Sequence, residues 1–303
     1  MVARPKLLLV APIPPELEAR LSLRFDLVRD RPSPARRLPG FRVAVTTSVA
    51  GADAALMDGL PDLELIACNG TGLESIDLEA AARRGISIRN TPDIVTEDTA
   101  DFAVALVYAT ARRIAEADRF MRAGRWGAER MTPSRRVHSR TMGIVGLGKI
   151  GAAIARRATG IGMKVRYSGP RPKPEVPYPY DPAAEGLART VDFLVLSCPG
   201  GKATHHLVNA AVLRALGPDG ILINVSRGSV VDEKALIEAL ARGAIAGAGL
   251  DVFESEPDID PAFFAFDNVV LQPHYAAVTR ETRAAMAEML DEAIGAFFAG
   301  EIR

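Results

Sequence analysis

The chain contains 303 residues, of which 48% are hydrophobic, and this length is enough for two globular domains. Basic and acidic side chains number 37 each, so no net charge is available to attract nucleic acid or an anionic membrane surface. The two cysteines, Cys68 and Cys198, lack metal-ligand spacing, so we expect a reducing compartment and no metal site. The apolar run at residues 7–10 is too short for a signal peptide or a membrane span, and we expect a cytoplasmic protein.

The first third of the chain alternates short apolar runs with helical patterns. Predicted strands cover residues 6–11, 25–28, 41–46, 65–68 and 86–89, and predicted helices cover residues 15–23, 52–60 and 77–84. Strands that alternate with helices predict a parallel sheet with helices on both faces. A long helix is then predicted from Glu97 to about Ala117, followed by an arginine-rich connector at residues 122–140 whose charges we interpret as solvated.

A second block begins where an apolar run ends in three glycines with the spacing G-x-G-x-x-G. Gly146 permits a tight turn, Gly148 lets a pyrophosphate approach the backbone, and Gly151 lets the next helix pack closely on the strand. The free N–H groups at the start of that helix are expected to face the phosphates. Because glycines also mark ordinary turns, this interpretation depends on the elements that follow.

The elements after the glycine turn continue the alternation of strands and helices. Strands are predicted at residues 142–145, 164–167, 191–197, 221–225, 246–250 and 269–272, helices at 150–160, 182–189, 209–216 and 233–242, and a proline-rich loop at 170–182. This pattern predicts a doubly wound α/β domain with the glycine turn at its first strand. The last segment, residues 279–299, is amphipathic and helical, and in a two-lobed chain we expect it to pack on the first block.

The end of the second strand of this block indicates which dinucleotide is bound. An acidic residue there usually takes the ribose 2′-hydroxyl of NAD, but this chain has Ser168, followed by Arg171 and Lys173. Serine and arginine can bind a 2′-phosphate that a carboxylate would repel. The pattern favours NADP(H), with NAD(H) left open. The alternative is that Arg171 and Lys173 are solvated loop charges.

Four histidines are candidates for proton transfer. His138, His205 and His206 lie in polar segments, and we interpret them as surface residues. His274 follows an apolar strand, and the carboxyl end of a strand in a doubly wound sheet lies at the ligand crevice. Its imidazole suits proton exchange with a substrate oxygen near neutral pH.

Two other strand ends offer partners for His274. Arg227 follows one strand, and a group of acids, Asp251, Glu254 and Glu256, follows the next. An arginine binds a carboxylate bidentately and polarises a carbonyl, and a carboxylate beside a histidine fixes its tautomer. Together they predict hydride addition to a 2-keto acid, in which NADPH gives hydride to C2, Arg227 holds the substrate and His274 supplies the proton. The residues alone leave open which acid pairs with the histidine.

Five segments together resemble the D-2-hydroxyacid dehydrogenases, in particular their NADP-preferring hydroxypyruvate/glyoxylate reductase branch. They are residues 90–93 (Asn-Thr-Pro-Asp), the glycine run 143–151, and residues 224–233, 249–257 and 273–274. The resemblance implies an α/β fold with two doubly wound parallel-sheet domains and a cleft between them. A Rossmann-type cofactor domain would span residues 97–279, and a discontinuous flavodoxin-like substrate domain would span 1–96 and 280–303. The family also implies a homodimer.

The resemblance assigns roles to further residues. It implies that Glu256, rather than Glu254, is the catalytic acid and that Asp251 holds the nicotinamide carboxamide. Further cofactor contacts are implied for Lys149 and Ile150 at the pyrophosphate, for Cys198, Pro199 and Thr204 on the adenosine side, and for Val225 and Ser226. The substrate carboxylate is expected on backbone N–H groups of Gly70, Thr71 and Gly72, with Arg227 and His274 completing the substrate contacts.

Departures from the family pattern leave the substrate open. Asn69, Tyr275 and Ala276 differ from the usual residues around the substrate, and Pro170 stands where an arginine is common. The leading hypothesis is NADPH-dependent reduction of glyoxylate, hydroxypyruvate or a similar small 2-keto acid to the D-2-hydroxy acid. The alternatives are a reductase for a bulkier acid, such as an aryl pyruvate or a keto-sugar acid, and a catalytically silent dinucleotide-sensing protein.

Overall fold

A computed structural model describes residues 4–301, so the ends of the predicted substrate domain, residues 1–3 and 302–303, lie outside the described residues. The strands are β1 (Lys6–Leu9), β2 (Asp26–Arg29), β3 (Val43–Thr47), β4 (Leu65–Asn69), β5 (Ser87–Arg89), β6 (Thr141–Val145), β7 (Lys164–Ser168), β8 (Tyr180–Asp181), β9 (Phe193–Leu196), β10 (Ile221–Asn224), β11 (Gly247–Leu250) and β12 (Val269–Leu271). The α-helices are α1 (Pro15–Ser22), α2 (Ala54–Asp58), α3 (Leu78–Arg83), α4 (Thr96–Ala111), α5 (Ile114–Arg122), α6 (Lys149–Gly160), α7 (Ala184–Ala188), α8 (Ala210–Leu216), α9 (Glu233–Ala241) and α10 (Arg280–Ala299).

The chain divides into two compact units, one of Met1–Val95 with Val278–Arg303 and one of Thr96–Ala277. The first unit contains a five-stranded sheet in the order β2-β1-β3-β4-β5, and its strand pairs are all parallel. Helix α10 belongs to this unit because its apolar face, including Leu290 and Ile294, packs in one core with Leu7 and Leu9 of β1. Arg24 adds an ion pair to the buried Asp291 of α10 at 3.1 Å.

The second unit contains a seven-stranded parallel sheet in the order β12-β11-β10-β9-β6-β7-β8. The order reverses at β6, which lies between β9 and β7, and this reversal is where open α/β sheets bind ligands beyond the carboxyl ends of their strands. Two apolar cores cover its faces, one around Leu222 and Leu236 and one around Ile144 and Ile154. The predicted α/β architecture with two doubly wound parallel sheets is therefore confirmed.

Two elements differ from the sequence prediction. The single helix predicted from Glu97 to about Ala117 is wrong, because the chain breaks between α4 and α5, where Arg113 adopts a left-handed φ of 55° and pairs with Glu116. The segment at residues 170–182 is not loop throughout, since β8 extends the edge of the sheet by pairing with β7. The ring of Tyr180 lies 5.3 Å from that of Tyr167, and this tertiary contact outweighs the prolines that precede β8. Between residues 4 and 301, no helix is both long and apolar enough to cross a bilayer.

Candidate active site

The glycine turn between β6 and α6 is shaped by close backbone packing. Gly146 has a φ of 93°, and a Cβ atom there would lie 2.6 Å from the Cα atom of Cys198. A Cβ atom on Gly151 would lie 2.2 Å from the carbonyl oxygen of Gly146, so helix and turn touch without side chains. Gly148 caps α6 and has open space beside it. This arrangement fits a dinucleotide phosphate, which needs uncovered N–H groups at a helix start. Lys149 is exposed and Ile150 half-buried in the first turn of α6.

The end of β7 lies directly against this turn. Ser168 is buried, and its carbonyl oxygen accepts a hydrogen bond from the N–H of Gly146 at 2.8 Å. Lys173 folds back, and its Nζ donates to the carbonyl oxygen of Leu147 at 2.7 Å. Arg171 is exposed. The structure thus gives Lys173 a contact with the turn itself, while Arg171 is the exposed cation after β7.

The other predicted cofactor contacts lie beyond β9, on the predicted adenosine side, and beyond β10. Burial raises the pKa of the Cys198 thiol to about 11, so this residue is a neutral thiol at physiological pH. The Thr204 hydroxyl donates to the carbonyl oxygen of Pro199 at 2.7 Å and closes the loop between them. Val225 and Ser226 are buried just past β10, where the Ser226 hydroxyl donates to Asn224 Oδ1 at 2.9 Å. Thr204 and Ser226 therefore have structural hydrogen bonds that the sequence analysis did not anticipate.

His274 and Glu256 form a hydrogen-bonded pair. His274 Nδ1 lies 2.7 Å from Glu256 Oε2, and Glu256 Oε1 accepts a hydrogen bond from the N–H of Phe253 at 2.9 Å. Burial alone raises the pKa of the Glu256 carboxyl, but the hydrogen bond and charge of His274, the Phe253 N–H and the charge of Arg227 outweigh burial and lower the pKa overall. Glu256 is thus a carboxylate at neutral pH. It occupies Nδ1 of His274, and Nε2 is the ring nitrogen that remains for a ligand.

The backbone around His274 is held by Asp251. The carbonyl oxygen of Asp251 accepts from the N–H of His274 at 2.8 Å, and its carboxylate accepts from the N–H groups of Tyr275 at 2.6 Å and Ala276 at 2.9 Å. His274 has a left-handed φ of 53°, which is uncommon outside glycine and needs such fixing. Burial raises the pKa of Asp251, and the two N–H donors partly offset this. We call these three hydrogen bonds to Asp251 the Asp251 latch; the sequence did not predict them. A contact of Asp251 with the nicotinamide carboxamide stays a prediction.

Arg227 lies at the end of β10, beside the His274–Glu256 pair. Its Nη1 donates to the carbonyl oxygen of Ser226 at 2.7 Å, and its positive charge helps to lower the pKa of Glu256. A Cβ atom on Gly200 would lie only 2.8 Å from Cγ of Arg227, so Gly200 leaves the space that the arginine stem fills. Gly200 was also missed, although the Gly200-Gly201 pair after an apolar strand is a signal for close approach.

The three predicted catalytic residues follow three neighbouring strands. Arg227 follows β10, Glu256 follows β11, and His274 follows β12, and these strands are adjacent in the sheet. Because the sheet is parallel, their carboxyl ends meet at one edge, and the structure brings the three side chains together there.

The predicted substrate loop, Gly70, Thr71 and Gly72, belongs to the first unit and follows β4. The N–H of Gly70 donates to Thr91 Oγ1 at 3.2 Å, and the Thr71 hydroxyl donates to the carbonyl oxygen of Thr91 at 3.1 Å. Gly70 has a φ of 143°, and Gly72 is buried. Thr91 therefore fixes the loop through two hydrogen bonds, and this gives one residue of the 90–93 segment a structural role. A contact of this loop with substrate stays a prediction.

A second histidine–carboxylate pair lies outside this group. His206 Nε2 lies 2.6 Å from Glu254 Oε1, and the exposed ring of His205 stacks on His206 with 3.9 Å between ring centroids. The sequence left open which acid meets His274, and the structure joins Glu256 to His274 and Glu254 to His206. The pairing of His206 was not predicted.

An apolar cavity of about 290 Å³ adjoins His274 and Glu256 within the second unit. Its remaining lining is almost entirely apolar and consists of Phe253, Pro257, Ile259, Phe264, Leu271, Gln272 and Pro273. The candidate site thus combines charged side chains, Arg227 and the His274–Glu256 pair, with an adjoining apolar cavity.

Comparison with known proteins shows which family the chain resembles. Residues 104–276 match the family described as D-isomer specific 2-hydroxyacid dehydrogenase, NAD binding domain. A glyoxylate/hydroxypyruvate reductase of Arabidopsis thaliana is 41% identical over 97% of this chain and 96% of its own length. Hydroxyphenylpyruvate reductase of Plectranthus scutellarioides is 40% identical over 97% of this chain and 96% of its own. For 2-ketogluconate reductase of Gluconobacter oxydans the identity is 40% over 98% of this chain and 97% of its own.

A solved structure extends the similarity to three dimensions. The NADPH-dependent glyoxylate/hydroxypyruvate reductase of Sinorhizobium meliloti, in complex with NADP and malonate, has a TM-score of 0.91 and 41% identity, covering 98% of this chain and 94% of that chain. The resemblance drawn from the sequence is confirmed. The chain is an oxidoreductase with an NAD-binding domain, and it belongs to the D-isomer specific 2-hydroxyacid dehydrogenase family.

Proposed function

We propose that this protein reduces a small 2-keto acid of the glyoxylate/hydroxypyruvate type to the D-2-hydroxy acid, with NADPH as the hydride donor. The observation that carries the proposal is the His274–Glu256 pair at 2.7 Å beside Arg227, at the edge of the sheet whose first strand ends in the glycine turn. Relatives named as glyoxylate or hydroxypyruvate reductases support the substrate class.

Each residue has a defined task in this reaction. The N–H groups at the start of α6 hold the pyrophosphate, and Gly146 and Gly151 keep the turn free of side chains. When bound, the reduced nicotinamide supplies a hydride to C2 of the substrate. Arg227 binds the substrate carboxylate and polarises the keto oxygen through its planar guanidinium.

His274 is the proton donor in this proposal. With Nδ1 on Glu256, the protonated imidazole presents Nε2–H to the substrate oxygen and transfers that proton as negative charge develops on the oxygen. The ionised Glu256 stabilises the protonated ring and fixes its orientation. Asp251 keeps the ring in place through the backbone of residues 274–276.

A panel of 2-keto acids tests the proposed substrate class. Glyoxylate, hydroxypyruvate, pyruvate, hydroxyphenylpyruvate and 2-ketogluconate would each be assayed with NADPH and with NADH. We expect the highest kcat/KM for glyoxylate or hydroxypyruvate with NADPH. A higher value for either bulky acid would overturn the proposed substrate while leaving the reaction type intact.

The proposed preference for NADPH rests on Ser168 and Arg171 at the end of β7, and the NADP complex of the Sinorhizobium meliloti relative supports it. Ser168→Asp introduces a carboxylate that repels a 2′-phosphate and accepts hydrogen bonds from a ribose 2′-hydroxyl. We expect the ratio of kcat/KM for NADPH to that for NADH to fall at least about tenfold, or about 1.4 kcal/mol. Ser168→Ala is the matched control: it removes the hydroxyl without adding a negative charge, so it should lower the ratio less than Ser168→Asp. An equal ratio in the wild type and Ser168→Asp would refute this assignment.

The second candidate function is reduction of a bulkier 2-keto acid. The apolar cavity of about 290 Å³ beside His274 favours it, as do the hydroxyphenylpyruvate and 2-ketogluconate reductases among the relatives. Ile259→Trp would fill part of this cavity. If a bulky acid is the substrate, this variant should lose turnover of that acid and keep turnover of glyoxylate.

We also propose that the protein is a homodimer. Apolar side chains of α5 and the following turn are exposed among the described residues, with Ile114 at 53%, Met121 at 52% and Trp126 at 62% exposure. Such a surface is typical of a protein interface. Light scattering should give twice the mass of the chain, and Trp126→Arg should lower that mass. A monomeric wild type at micromolar concentration would contradict the proposal.

A further inference from the structure

We propose that His205, His206 and Glu254 bind a divalent transition metal ion, with zinc as the best-suited ion. One ligand atom from each residue lies within 4.8 Å of the other two. Among the described residues, 4–301, these three form the cluster of histidine and acidic side chains that could hold a metal ion. No metal site is predicted from the sequence, because the two cysteines lack metal-ligand spacing. The three ligands are instead brought together by the fold, since Glu254 is 48 residues from His206.

The present geometry needs only small side-chain movements to accept an ion. Zinc bound to nitrogen and oxygen at about 2.0–2.2 Å in a tetrahedron separates its ligand atoms by roughly 3.4 Å. His206 Nε2 and Glu254 Oε1 are now 2.6 Å apart and would open slightly, and the exposed His205 ring, stacked at 3.9 Å, would rotate inward.

The backbone segments that carry the ligands are fixed by other contacts. The N–H of His206 donates to the carbonyl oxygen of Ser229 at 2.8 Å, and Val208 pairs with Val231 in a short parallel bridge. The N–H of Glu254 donates to Glu233 Oε1 at 2.8 Å. The entropy cost of ordering the ligands is therefore confined to side chains, which favours binding.

The ligand set selects the kind of ion. Two imidazoles and one carboxylate suit zinc, copper or nickel, whereas magnesium and calcium prefer sites made of oxygen atoms. The neighbouring carboxylate of Glu233 adds negative charge close to the site. Three protein ligands leave a fourth position for water. A bound ion would join the loop after β9 to the segment after β11, so it should stabilise the fold by binding the native state alone.

Zinc titration of the untagged 303-residue chain tests the proposal. After treatment with a chelator and dialysis, the chain would be titrated with zinc chloride by calorimetry, with magnesium chloride as a second probe. We expect one zinc per chain, no measurable magnesium binding, and a higher Tm with zinc. His205→Gln and Glu254→Gln should each weaken zinc binding at least about tenfold, because each removes one of three ligands.

Two control variants test whether zinc binds at histidines other than His205 and His206. His138→Gln removes a different exposed histidine and should bind zinc like the wild type. His274→Gln should also bind zinc like the wild type, because it alters only the His274–Glu256 pair. Zinc binding that persists in both His205→Gln and Glu254→Gln, or that is lost only in His274→Gln, would overturn the proposal, as would no zinc binding by the wild type.

Discussion

Two histidine–glutamate pairs take their glutamates from one short segment, Glu254 and Glu256, and we propose a catalytic role for only one of them. His274 meets Glu256 at 2.7 Å, and His206 meets Glu254 at 2.6 Å. Both histidines have left-handed backbones, with φ values of 53° and 50°. Distance and backbone conformation therefore do not distinguish the two pairs.

The surroundings of the pairs do distinguish them. Glu256 accepts a second hydrogen bond from the Phe253 N–H and lies near the positive charge of Arg227, and the backbone of His274 is held by Asp251. His206 instead has the ring of exposed His205 against it. A short histidine–carboxylate contact thus becomes a catalytic candidate when a nearby cation and a fixed backbone accompany it in a domain that also carries a dinucleotide turn.

Replacement of each histidine gives the largest expected difference between the pairs. His274→Gln removes the proposed proton donor, and we expect kcat to fall by about 10²–10⁴-fold. NADPH affinity, measured by fluorescence titration, should change little because the glycine turn is intact. His206→Gln, assayed with chelator present, should lower kcat by no more than about threefold, since general acid catalysis does not pass through it. An equal fall in kcat in His274→Gln and His206→Gln would show that the two histidine–glutamate pairs do not differ in catalysis.

The positive charge of Arg227 helps to lower the pKa of Glu256, and the shape of its guanidinium should matter as well as its charge. Arg227→Lys keeps the positive charge but loses the planar fork that binds a carboxylate bidentately. We expect kcat/KM for the keto acid to fall by about tenfold to a hundredfold, equivalent to about 1.4–2.8 kcal/mol. Steady-state kinetics with varied substrate would measure this. Near-normal kinetics would remove Arg227 from the site.

The Asp251 latch is also specific to the His274 pair. In Asp251→Asn one carboxylate oxygen becomes an NH₂ group, which cannot accept from the N–H of Tyr275 or Ala276. A buried donor without a partner costs about 1–3 kcal/mol, so we expect kcat to fall about tenfold as His274 loses its position.

The kinetic pattern separates the two roles considered for Asp251. A latch lowers kcat and leaves the KM for NADPH nearly constant, whereas loss of a carboxamide contact raises that KM. Asp291→Asn is the matched control, because it changes a buried carboxylate of the first unit that is paired with Arg24. It should lower the free energy of unfolding and leave kcat within about threefold of the wild type.

The two parallel sheets could be predicted from the sequence because most of their strands are short apolar runs that alternate regularly with helical patterns. The sequence was insufficient at Arg113, where a left-handed residue breaks a helical pattern without glycine or proline, and at β8, which forms because Tyr180 packs on Tyr167. Local patterns carry no information about such tertiary contacts.

The same limit applies to the site. Strand ends in a parallel sheet converge, so Arg227, the acids and His274 could be placed at one edge from the sequence. The choice between Glu254 and Glu256 came from the resemblance rather than from the residues, because both acids follow the same strand. The Asp251 latch, the space at Gly200 and the His206 partner depend on how loops fold, and loops 198–206 and 251–257 have no periodic pattern.

The smallest expected change in kcat/KM comes from a substitution at Gly200, which fills the space beside Arg227. A Cβ atom on Gly200 would lie 2.8 Å from Arg227 Cγ, so Gly200→Ala must displace the arginine stem. Because the stem is flexible, we expect kcat/KM to fall only about threefold to tenfold, below the loss in Arg227→Lys. Gly160→Ala, in α6, has open space beside it and should leave kcat/KM unchanged while raising stability by up to about 1 kcal/mol. A Gly200→Ala enzyme with wild-type kinetics would show that Arg227 can move without consequence, and the contrast between the two pairs would then rest on Asp251 and the Phe253 N–H.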